Sequence, residues 1–120
     1  MAQLVVLILD DVGQCFDVMS AWREAGASGV TVLQSTGLQR LRSAMREDMP
    51  LFPSLRDLVG NSEYYHRTIF TVVPEDATVE RIIAATEKVI GDLNEEHTGI
   101  LFVAPLTRVV GLQKRRRGSA

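Results

Sequence analysis

FTVVPEDATVERIIAATEKVI, residues 70–90, holds the end of a strand, its stop and a whole helix in one run. Phe70, Val72 and Val73 are β-favouring, and Pro74 closes the strand because it cannot donate to a ladder. Thr78 is a natural N-cap, and Val79, Ile82, Ile83, Thr86, Val89 and Ile90 follow at i, i+3, i+4, i+7, i+10 and i+11. That spacing draws one apolar stripe along an amphipathic helix ending near Gly91.

Working backwards, YYHRTIFTVV (residues 64–73) extends the strand, and GVTVLQS (29–35) alternates as another. LVVLIL (4–9) is a short run without alternation, ended by Asp10 and Asp11, so it reads as a strand buried on both faces. Asp11 and Gln14 have capping-box spacing, and Val18, Met19, Trp22 and Ala25 recur helically, which predicts a helix over residues 13–25. Working forwards, GILFVA (99–104) is a further strand, and residues 107–112 extend it or pair as a short fifth one.

The order β, α, β, excursion, β, α, β predicts an α+β, ferredoxin-like βαββαβ sandwich: an antiparallel sheet with two helices on one face. One domain over residues 1–112 accounts for the length, with a loop excursion at 36–63 and a basic, disordered tail at 113–120. The excursion combines LQRLRSAMRED, MPLFPS and SLRDLVG, and a segment so long is expected to be mobile or partly helical. Two helices cover only one side of a four-stranded sheet. Apolar residues on both faces of LVVLIL, IFTVV and ILFVA therefore predict an obligate oligomer.

Formal net charge is −2, and four of the thirteen basic residues are Lys114, Arg115, Arg116 and Arg117, so the rest of the chain is acidic. That speaks against nucleic-acid binding. The six-residue apolar run near the start is too short for a signal peptide or a membrane span. A lone cysteine, Cys15, forms no internal disulfide, so a cytoplasmic protein is expected.

AGASGVTVLQSTGLQR (25–40), FTVVPEDATVERIIAATE (70–87) and HTGILFVAPLTRVV (97–110) resemble, in order and spacing, segments of the P-II signalling family. The resemblance implies a homotrimer in which an adenine nucleotide (ATP, ADP or AMP, with or without magnesium) lies between subunits. It also implies that a long loop answers the ligand by contacting a regulated protein or a membrane transporter. Thr31 matches the family's threonine near the adenine; Gly37 and Gln39 match the loop-base glycine and the glutamine at the phosphates; Gly99 matches one glycine of the phosphate loop. The chain departs from the pattern around His97 and Ile100, where the family has a second glycine and a lysine. It departs again at Gly111 and Gln113, where the family has phosphate-binding arginines. Arg40, His66 with Arg67, or Lys114 to Arg117 folding back are the candidate replacements, and a smaller or less charged ligand is expected. The excursion also lacks the family's uridylylated tyrosine.

Leu51 and Phe52, stiffened by Pro50 and Pro53, are candidate partner anchors, although the plainer reading, and the favoured one, is that Phe52 packs back on its own trimer. His66 and His97 are isolated from cysteine and carboxylate company, so no metal site is expected and no cofactor is required. No nucleophile–base pair or Walker-type loop has distinctive spacing, and the expectation is a regulatory protein rather than an enzyme. Two rivals stay open: an interaction scaffold without a working nucleotide site, and a metal- or anion-responsive trimer like the CutA proteins.

Overall fold

The structure is a computed structural model and describes residues 1–37 and 65–113. The expectations for Gln39, Arg40, Leu51 and Phe52, for most of the excursion, and for the basic tail fall outside the described residues.

The elements are β1 (Gln3–Leu9), α1 (Cys15–Glu24), β2 (Thr31–Ser35), β3 (His66–Val73), α2 (Asp76–Ile90) and β4 (Gly99–Pro105). The four strands form one antiparallel sheet in the order β2-β3-β1-β4. Each helix joins two parallel strands that flank a third, so the α+β arrangement is compatible with the ferredoxin-like expectation.

Strand periodicity sorts the side chains. Val5, Leu7 and Leu9 of β1 and Ile69 and Val73 of β3 are buried beneath Val18 and Trp22 of α1 and Val79 and Ile82 of α2. Both helices therefore cover one face. Between the helices polar atoms pair internally: the Trp22 indole donates to Thr86 Oγ1 at 2.8 Å, and that hydroxyl donates to Ile82 O at 2.7 Å. Thr71 Oγ1 donates to Gly29 O, tying the approach to β2 onto β3.

Three local expectations need correcting. Helix α1 begins at Cys15, because Asp11 caps a separate 3-10 turn, Val12–Gln14, through Gly13 N. Thr78 is not the cap of α2: the helix begins at Asp76, and Thr78 lies buried inside its first turn, with its hydroxyl accepting from Arg81. Residues 107–112 form no strand. The last backbone bond beside β4 runs from Leu106 N to Ala2 O, one residue before β1 begins.

Candidate functional site

The face away from the helices is built from three cross-strand rows. Val72, Leu4 and Ala104 form one; Thr31, Phe70, Val6 and Phe102 the next; Leu33, Thr68, Ile8 and Ile100 the third. Central Val6 is buried between the two phenylalanine positions, whereas Leu33, Ile100 and Phe102 are 53%, 57% and 45% exposed. No described helix or strand covers this face; only Gly111 and Leu112, after β4, come near its Thr31, Phe70 and Val72 corner.

One step further the character changes. Ser35 is paired with His66, and Asp10 N bonds Thr98 O at 3.5 Å just beyond the last β1–β4 pair, so a polar row of Ser35, His66, Asp10 and Thr98 ends the apolar face. Ser35 Oγ lies 2.7 Å from His66 Nδ1 and 2.8 Å from Thr68 Oγ1. This hydroxyl pair serves either imidazole tautomer by reversing the direction of its hydrogen bonds. Gly37 comes against the other ring nitrogen: a Cβ there would lie 3.4 Å from His66 Nε2. The structure thus brings Gly37 and His66 together at the base of the excursion.

Arg67 goes elsewhere. Adjacent strand residues point to opposite faces, so Arg67 shares the helix side with Ile69, in a row with Gln34 and Leu9. Its guanidinium is near enough to Cys15 to pull the thiol's pKa down, against the larger effect of burial, which pushes it up. Thr31 is also remote from His66: four residue steps along β2, roughly 13 Å, separate it from Ser35. It borders a different cleft with Phe70, Val72, Ser28, Gly111 and Leu112, under the segment that follows β4.

Gly99 has a packing reason of its own. Its φ is +137°, and an added Cβ would stand 2.3 Å from Ile8 O, so the close passage of β1 requires glycine. The preceding loop is acidic and self-bonded. Leu93 N donates to Glu87 Oε2 at 3.0 Å, Asn94 N to Asp92 Oδ1 at 2.9 Å, and Thr98 Oγ1 to Glu95 O at 2.9 Å. His97 stands out from it at φ 65°, with Glu96 at 3.9 Å and both side chains over nine-tenths exposed, a pairing of little energetic weight.

Sequence reasoning missed Ser35, Thr68 and Asp10. The signal was available in the alternation, since residues two apart on β3 share a face and Ser35 lies opposite His66. Among the described residues no group of three His, Cys, Asp or Glu could hold a metal ion, and no helix is long and apolar enough to cross a membrane. No protein-family model matches the sequence, and no curated protein matches it.

Proposed function

We propose that the chain is a P-II-like cytoplasmic regulator: a homotrimer that senses a small molecule, an adenine nucleotide or a related metabolite, at the rims between its subunits and signals through the excursion that starts beside Gly37. The observation that carries this reading is the uncovered sheet face, apolar over three rows and polar in the fourth. An apolar face of this kind favours burial against other copies. Its polar end then falls at the rim of the interface, where Gly37, His66 and Ser35 stand at the base of the excursion. A ligand that binds one conformation of the excursion better than another shifts its population, which is the signal.

A second reading is favoured by one specific feature. Residues 91–99 contain Asp92, Glu95 and Glu96 and no lysine or arginine, where the resemblance would place a phosphate loop. An acidic loop there suits an interaction scaffold that does not hold a polyphosphate.

Thermal unfolding at fixed protein concentration separates the two, run against ATP, ADP, AMP, cyclic nucleotides, 2-oxoglutarate and bicarbonate, with and without magnesium. Ligand at 100 times its dissociation constant adds about 2.7 kcal/mol of stability per site. A selective upward shift in the wild type, lost in His66→Ala, supports the sensor. A flat response across the panel supports the scaffold.

A further inference from the structure

His66 and Arg67 are neighbours in sequence and occupy opposite sides of the sheet, and the side that Arg67 faces has a chemistry of its own. Arg67 Nη1 is buried and makes no hydrogen bond, and no ion pair to Arg67 exists among the described residues. A buried guanidinium nitrogen without an acceptor is costly, and native proteins rarely leave one so. Arg67 also extends from the end of the core. Leu9 and Gln34 are beside it on the flanking strands, Ile69 is fully buried two residues on, and buried Tyr65 lies two residues before.

We propose that Arg67 anchors a second site, on the helix side of the sheet, that takes one small oxyanion, a carboxylate or an inorganic phosphate. The guanidinium suits such a group because its fork of N–H donors matches two oxygens at once. Leu9 of β1 and Gln34 of β2, the cross-strand partners of Arg67, flank the site. The Arg67 charge lowers the Cys15 thiol's pKa, against the larger raising effect of burial. A single guanidinium is too little charge for a nucleotide triphosphate. It is separated by the sheet itself from the Gly37–His66 end, so it stands whether or not that end binds a nucleotide.

The test uses the whole chain, wild type and Arg67→Met, with Arg67→Lys as the charge-retaining control. Melting temperature is measured against sodium acetate in one series and sodium phosphate in another, each at ionic strength held constant with chloride. The wild type is expected to gain about 5 °C or more, saturably, at anion far above its dissociation constant. Arg67→Met should lose that gain, and without anion should melt no lower than the wild type, since it removes a buried group that lacks an acceptor. Arg67→Lys should keep part of the gain. Saturation in only the acetate or only the phosphate series names the oxyanion. An equal rise in wild type and Arg67→Met, no saturable rise with either anion, or an Arg67→Met variant that melts well below the anion-free wild type would each overturn the proposal. Response to AMP in the same variants reads the other site separately: its loss in His66→Ala and survival in Arg67→Met would show the two to be independent.

Discussion

Replacing Phe102 with Glu puts a carboxylate on the edge strand β4, in the second apolar row of the uncovered face, without touching the helix-side core. Phe102 is 45% exposed in the single chain. For an aromatic side chain of about 200 Å², that leaves roughly 90 Å² to be covered by a neighbour, or about 2 kcal/mol per copy at 25 cal/mol per Å². Each such loss is worth about 30-fold in a dissociation constant, before the added cost of desolvating a charge. Sedimentation velocity over a dilution series should show the wild type near three times 13.3 kDa and Phe102→Glu dissociating at a concentration at least ~30-fold higher. Far-UV circular dichroism should remain that of the wild type, because Phe102 lies outside the buried cluster. A wild type that sediments as a single chain at every concentration would refute the argument, as would a variant with an unchanged dissociation profile.

Thr86→Val keeps the shape of a fully buried side chain and strands the Trp22 indole N–H, so it should cost about 1–3 kcal/mol in urea unfolding, with Thr86→Ser recovering most of it. Gly99→Ala drives a Cβ toward Ile8 O at a φ that side chains avoid, and about 2 kcal/mol or more of stability should be lost whether or not any ligand is added. Burial raises the Cys15 pKa, so its thiolate forms only at higher pH and iodoacetamide should alkylate it more slowly than a free thiol at mildly alkaline pH. Arg67→Met removes the opposing pull and should slow alkylation further; a rate at or above that of a free thiol, followed by mass spectrometry, would count against this environment.

The parts of the fold that the sequence revealed are those written as periodic patterns. The stripe from Val79 to Ile90 identified α2, and the apolar run at residues 4–9 identified a central strand with apolar residues on both of its faces. Boundaries were harder to see, because a single residue type serves several purposes. Thr78 has the chemistry of a cap, yet its side chain is held inside the helix by Arg81 and packs beneath Gly26, where an added Cβ would meet it at 3.3 Å. Residues 107–112 have the composition of a strand, yet they form no ladder with the described strands. At the candidate site, adjacency in sequence suggested one basic cluster at His66 and Arg67, and the pleat divides it. The serine and threonine that hold His66 were invisible because such residues are common everywhere; only the register singles them out.

The pair formed by Trp22 and Thr86 has a practical consequence. The chain contains one tryptophan, and it is fully buried in the seam between the two helices, away from the open face and with its N–H already engaged. Its intrinsic fluorescence is therefore a native reporter of the helix layer alone. Emission should stay blue-shifted when subunits separate or a ligand reaches the far side of the sheet, and should move to the red only when the protomer itself comes apart. Paired with a mass measurement, that single fluorophore separates dissociation from unfolding without any label.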